Sequence, residues 1–188
     1  MPLSPVRRWL HAWLPAPPSI GWRERLRGPL GVLLGLALTA MTSRWMARPL
    51  AVHIWMLAPI GASAVLVFTA PANPLAQPWA VVAGNTLSAA IGVLCAMLIP
   101  DPVLAVALAP AAAIAAMVAL RCPHPPGGAM AALAVLSHAS GAEFSVSLAG
   151  VNSLVLVLFG CAYNPLTGHA YPLSHRAPAP DPTTHHPE

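Results

Sequence analysis

Six apolar runs, separated by short proline-rich breaks, fill the middle of the chain at about 28–42, 51–70, 79–99, 103–120, 126–137 and 146–163. Asp101 is the only formally charged residue between Arg48 and Arg121, so the breaks there are almost as uncharged as the runs they divide. A helix needs roughly 20 residues, at about 1.5 Å each, to cross a hydrocarbon layer about 30 Å thick. The third, fourth and sixth runs meet that length, and the first does so if Arg44 snorkels to the interface. The second carries Pro59 and Gly61 in its middle and predicts a broken helix, while the fifth holds helix for only about half a membrane. The pattern predicts an all-α membrane protein: a helical bundle of about four to six transmembrane segments, two of them proline-broken or half helices.

Composition sharpens this picture. Of 188 residues, 57% are apolar and 7% are charged, whereas a soluble domain carries roughly 25% charged residues. That balance excludes an ordinary water-soluble enzyme, and a mean hydropathy of +0.68 excludes disorder over most of the length. The lipid bilayer is the expected partner. All nine basic residues are arginine, and Arg7, Arg8, Arg23, Arg25 and Arg27 precede the first run, so the net charge of +4 is an N-terminal feature. Beside a membrane span such a cluster fits a cytoplasmic anchor under the positive-inside rule, and a nucleic-acid partner is not expected. Cys95, Cys122 and Cys161 show neither a disulfide framework nor zinc spacing, so neither metal nor cofactor is expected.

Three domains follow: a basic cytoplasmic or interfacial segment at 1–27, a membrane domain at 28–171, and a tail at 172–188. Arg7 and Arg8 sit before a short apolar stretch, but Pro15, Pro17 and Pro18 stop it before an export signal can form. An interfacial helix is expected instead, with Trp9, Trp13 and Trp22 at headgroup depth. The tail is rich in proline and histidine; His185 and His186 could bind a metal, but the composition reads as a disordered cytoplasmic tail.

The two broken segments resemble each other. Pro59-Ile-Gly61-Ala62-Ser63-Ala64-Val-Leu66 aligns with Pro126-Gly127-Gly128-Ala129-Met-Ala131-Ala-Leu133 at constant offset, and Asn85 and Asn152 follow in like positions. Read as a duplication, each half is helix, broken segment, helix, and three passes per half would make the halves antiparallel. Similar composition alone is the other explanation. With six crossings and an inside N-terminus, the arginines divide seven inside to two outside; with four they divide six to three. Both arrangements place the C-terminus inside.

The run Arg121-Cys-Pro-His124-Pro125-Pro126-Gly127-Gly128-Ala129 resembles the signature of the HPP family of integral membrane proteins. The stretches 58–66 and 70–78, and Gly84 with Leu87-Ser88-Ala89, fit the same family, over roughly 28–171. Pro123 is an extra proline before His124, and Asn85 stands where histidine is expected. The resemblance implies an integral membrane protein, usually with four spans, and links plastid members to nitrite transport.

Proline is tolerated at a first helical position because its missing N–H would be unpaired there, so Pro59 and Pro126 read as helix starts. Gly61, Ala62 and Ser63, and Gly127, Gly128 and Ala129, would then offer backbone amides to an anion at the positive ends of two helices. His124 would donate to the anion or carry a proton, Arg121 would mark the membrane interface or attract the anion at the entrance, and Asn85 and Asn152 would bond the substrate or the broken backbone. Close helix packing is the other use of the same glycines and alanines. His53 and His138 are expected at span ends, and Asp101, between two prolines, is a turn residue. The expected function is a transporter or channel for a small inorganic anion, nitrite-like by resemblance, in a bacterial inner membrane. It is not expected to be an enzyme, and association as a homo-oligomer is a further expectation for a chain this small. The alternative is a non-transporting module acting in assembly or sensing.

Overall fold

A computed structural model describes residues 21–47, 56–137 and 146–173. The expected interfacial helix before Gly21, His53, His138 and the C-terminal tail lie outside the described residues. Six α-helices make up the described chain: α1 (Trp22–Ala47), α2 (Pro59–Thr69), α3 (Pro78–Leu98), α4 (Pro102–Ala119), α5 (Pro125–Leu136) and α6 (Leu148–Leu166), with a 3-10 turn at Pro74–Ala76. Four of them, α1, α3, α4 and α6, are long and apolar enough to cross a membrane, and α2 and α5 are the two short apolar helices. The first span is longer than its apolar run, so Arg23, Arg25 and Arg27 lie on the opening turns of α1 instead of on a separate anchor.

Local chemistry sets the ends. Pro59, Pro78, Pro102 and Pro125 each open a helix, at positions where no amide hydrogen is needed. Asp101 caps α4 by accepting from the Leu104 amide at 2.8 Å, which makes it the turn residue the sequence implies. Arg121, at φ +54°, closes α4: its amide reaches the Val118 carbonyl and the Cys122 amide reaches that of Met117, the two bonds of a Schellman cap.

Helix directions follow from side-chain neighbours. The start of α1 meets the end of α2, with Gly28 beside Thr69 and Gly31 beside Phe68. It also meets the end of α6, because Arg27 donates to Asn164 Oδ1 at 3.2 Å and Tyr163 donates to the Arg27 carbonyl at 2.7 Å. Trp79, at the start of α3, donates to the Leu120 carbonyl beyond the end of α4. Gly84 and Gly92 of α3 lie against the first and last thirds of α5, so these two helices run the same way. One face therefore holds the starts of α1 and α3 and the ends of α2, α4 and α6; the other holds the ends of α1, α3 and α5. α2 rises to the first face from inside the bundle, and α5 descends from inside to the second. At about 1.5 Å per residue each covers roughly half the membrane.

The halves are related as an inverted repeat. Exchanging α1 with α4, α2 with α5 and α3 with α6 carries every principal helix contact onto another, for example α1·α6 onto α4·α3. Burial follows the same rule. The buried residues of α2 are Pro59, Ile60, Ser63, Ala64, Val67 and Phe68, and adding 67 to each gives Pro126, Gly127, Met130, Ala131, Ala134 and Val135, the buried residues of α5. On the long helices Gly31, Gly35, Thr39 and Ser43 make a buried stripe matched by Ala105, Ala109, Ala113 and Met117. Small residues suit both stripes, because helices in lipid associate by close contact and not by apolar burial.

The outer surface is apolar, with Leu33, Met41, Leu98, Val103, Val118 and Leu158 all exposed. Trp22 and Trp79 stand near one face and Trp45 near the other, the placement expected of interfacial aromatic rings. Single cysteines in a cysteine-free background test the topology. Ala72→Cys and Ala170→Cys should react with an impermeant thiol reagent from one side, Pro100→Cys and Ser137→Cys from the other. Labelling of Ser137→Cys together with Ala72→Cys would make α5 a re-entrant hairpin instead.

Candidate functional site

Inside the apolar bundle lies a layer of uncharged polar side chains contributed by both halves. Ser63 (α2), Asn85 and Ser88 (α3), His124 before α5, and Asn152 and Ser153 (α6) are all buried, with Ser43 and Thr39 of α1 alongside. Lipid supplies no hydrogen-bond partners, so such groups must satisfy one another.

Their hydrogen atoms can be assigned in sequence. His124 Nδ1 lies 2.8 Å from the Leu75 carbonyl, which can only accept, so Nδ1 carries a proton and donates. In the neutral ring Nε2 is then the acceptor, and Ser63 Oγ, at 2.8 Å, donates to it; a ring protonated at both nitrogens would instead donate to Ser63, whose hydroxyl then has the Pro59 carbonyl at 3.3 Å as its acceptor. Ser63 Oγ in turn accepts from Asn85 Nδ2 at 3.0 Å, and the same amide donates to Ser153 Oγ at 3.0 Å. The chain of assignments turns Asn85 Oδ1 away from both hydroxyls, and that atom has no hydrogen-bond partner among the described residues. On α6, Asn152 Oδ1 accepts from Ser43, and Asn152 Nδ2 is likewise buried without a partner among the described residues. A buried polar atom left unpaired costs about 1–3 kcal/mol. Two such atoms, an acceptor on Asn85 and a donor on Asn152, occur at equivalent positions of the two repeats.

Two glycines let the elements close around this layer. A Cβ on Gly84 would stand 2.7 Å from His124 Cβ, and one on Gly127 would stand 2.6 Å from Ser88 Oγ and 3.1 Å from the Gly84 carbonyl. Bulk at either position would push His124 off α3.

The helix starts differ from the expectation that they present free amides. The Gly61 and Gly127 amides are engaged, donating to the Ala58 and His124 carbonyls at 3.0 and 2.9 Å. Pro59, Pro125 and Pro126 have no amide hydrogen, and the amides that follow enter the helix ladder. Ala62 and Ala129 are exposed on the outer faces of α2 and α5. Gly61 has open space beside it, and the nearest atom to a Cβ on Gly128 is Pro110 Cβ at 4.0 Å. Arg121 is exposed and caps α4. Of the ten residues singled out from the sequence, the fold gathers Ser63, Asn85, His124 and Asn152 into the polar layer, with Gly127 packed on its edge.

The family model for the HPP transmembrane region matches residues 17–172, most of the chain. The protein belongs to the HPP transmembrane family. The extra Pro123 and the asparagine at 85 are thus features of an HPP protein, and Asn85 is where this one builds its central hydrogen bonds. A transmembrane protein of Dictyostelium discoideum is 41% identical over 88 residues, covering 45% of this chain and 28% of that relative. The chain thus spans little more than a quarter of that protein's length. No solved structure matches the chain.

Ser43, Ser153 and the Leu75 carbonyl were not foreseen. Ser153 adjoins Asn152, and Ser43 continues the four-residue spacing of Gly31, Gly35 and Thr39, which is the signal that could have found it. A backbone carbonyl leaves no such signal. On the first face Tyr171 donates to the Ala76 carbonyl at 2.9 Å, fastening the chain after α6 to the turn that carries Leu75. Burial, with a smaller push from the Cys161 thiol, raises the Tyr171 hydroxyl above the ordinary phenol range, so it remains a neutral donor.

Gly127→Ala should lower thermal stability in detergent by about 1–3 kcal/mol through overpacking, whereas Gly128→Ala should change it little. Equal melting of the two variants would show that the contact at Gly127 is not limiting.

Proposed function

We propose that the protein is a membrane transporter or channel for a small inorganic anion of the nitrite class. The observation that supports this most is the uncharged polar layer itself, set between two half-helices that start inside the bundle, with an unpaired acceptor and an unpaired donor at repeat-equivalent asparagines. Polar groups within a membrane bundle are costly to keep and commonly mark a solute path. The layer lies between the two faces: Leu75 belongs to the turn before α3 on one side, and Ser43 lies near the end of α1 on the other. Nitrite enters through the family resemblance alone. The arginine distribution favours a bacterial inner membrane protein with both termini cytoplasmic. The reading is of a carrier, not of an enzyme.

Arg121 has a defined place in this reading. A side chain at positive φ costs about 1–2 kcal/mol relative to glycine, and an arginine kept at such a cap is consistent with use of its charge near the entrance. A second reading has an observation of its own: Gly84, Gly92 and Gly127 all serve close helix approach, as a module built for packing alone would require.

Purified protein in vesicles separates the two readings. Protein-dependent nitrite uptake above that of empty vesicles is expected, and its absence would leave the packing module. Arg121→Gly should melt no lower than the parent, or about 1 kcal/mol higher, yet take up nitrite more slowly. Unchanged uptake would reduce Arg121 to a cap.

A further inference from the structure

We infer that the groove between α1 and α2 on the lipid-facing surface binds one anionic phospholipid from the leaflet at the first face, with its phosphate at Arg25 and Arg23 and one acyl chain lying along α1. Such a site sits on the outside of the bundle, apart from the polar layer and from any solute that passes it.

The groove follows from the way α1 meets α2. Gly28, Gly31 and Gly35 bring one side of α1 onto Thr69 and Phe68, and the next stripe of α1 is left beside the outer side of α2. Between them lies an apolar groove of about 630 Å³, walled by Val32, Leu36 and Ala40 of α1 and Val65 of α2, with Pro29 at its outer end and Met56 at its inner end. From Pro29 to Ala40 it runs roughly 16 Å along α1, at about 1.5 Å per residue. One leaflet of a hydrocarbon core about 30 Å thick is about 15 Å deep. The groove therefore has the length of a single acyl chain descending from its headgroup.

The charge at its mouth selects the headgroup. Trp22, Arg25, Pro29, Val32 and Leu36 follow one another at spacings of three and four, so they share one stripe of α1. Arg25 thus stands above the groove, about one turn before Pro29, and is exposed. Arg23 is exposed beside it, its guanidinium 5.6 Å from the centre of the Trp22 ring, which sits at headgroup depth. Glu24 is committed to the buried Arg27, at 2.7 Å, so the outward charge of this turn is positive. The repeat supplies an internal control. Ala105 of α4 holds the place of Gly31, and counting back at the same offset, Ile99 and Met97 replace Arg25 and Arg23. The second half closes without a cation at that level, so the bundle itself does not demand these two arginines.

The test uses the full chain in detergent, with lipid-bound species resolved by native mass spectrometry as phosphatidylglycerol or phosphatidylcholine of identical acyl chains is titrated in. One phosphatidylglycerol per chain should be retained, at least about tenfold more tightly than phosphatidylcholine. Arg25→Gln should weaken phosphatidylglycerol about fivefold, the factor that corresponds to about 1 kcal/mol for one arginine at an anionic surface, and leave phosphatidylcholine unchanged. Arg44→Gln removes the same charge from the other end of α1, where Arg44 is also exposed, and should leave both affinities as they are. Ala37→Trp, at an exposed position on the groove wall, should weaken both lipids at least about fivefold with melting retained. Equal retention of the two lipids by the parent, or the same loss in Arg44→Gln as in Arg25→Gln, would overturn the inference in favour of a diffuse charged surface. Unaltered retention in Ala37→Trp would overturn it equally, and a lipid-independent dimer that Ala37→Trp dissociates would assign the groove to a second copy of the chain instead.

Discussion

The hydrogen bond from His124 to the Leu75 carbonyl orders the interior of this protein. In water such a bond could exchange with solvent, but within lipid neither partner has an alternative. Because the carbonyl can only accept, it sets the histidine tautomer, which sets the Ser63 hydroxyl, which sets the Asn85 amide. With a neutral ring, one backbone oxygen in a connecting turn thereby fixes which atom of the Asn85 amide is left without a partner among the described residues. The same bonds join four elements: the turn before α3, α2, α3 and the start of α5. With Ser153 they reach α6.

The repeat is maintained by exchanging bulk between equivalent positions. In the first half Phe68 is the large residue, and Gly31 and Gly35 of α1 yield to it; a Cβ on Gly35 would come within 2.5 Å of its ring. In the second half Val135 replaces Phe68 in register, and alanines at 105 and 109 fill the space on α4. Glycine appears there on the other side of the half-helix, at Gly84 and Gly127, where the backbones of α3 and α5 come together. The first half-helix is thus seated by Gly31 and Gly35 of α1 and Gly160 of α6, the second by Gly84 and Gly92 of α3 and the alanines of α4. The inverted fold survives little sequence identity because helices in lipid need matched shape far more than matched chemistry.

Side-chain hydrogen bonds between helices gather at two levels. At the first face Glu24, Arg27, Asn164 and Tyr163 tie the start of α1 to the end of α6, and Asn164 also donates to the Val67 carbonyl of α2. The inner level holds no arginine or carboxylate among the described residues, whereas the boundary level carries the Glu24–Arg27 ion pair.

The sequence by itself determined the solvent, the helical class, the proline starts, the two half-length segments and the family, because length, hydropathy and proline geometry act locally and leave local traces. It also located Ser63, Asn85, His124 and Asn152, which are polar residues where polarity is costly. Tertiary structure decided what those residues do. It engaged the Gly61 and Gly127 amides, turned Ala62 and Ala129 outward, and made Arg121 a helix cap. Expectation and structure part there because a helix start is an anion site only if its amides are unspoken for. That depends on whether the preceding turn folds back on them, as Ala58 and His124 do. The tautomer of His124 and the orientation of Asn85 depend on a carbonyl 49 residues away from the histidine, and any side chain at 75 would supply the same oxygen. No reading of residue types recovers it, because the deciding group belongs to the backbone.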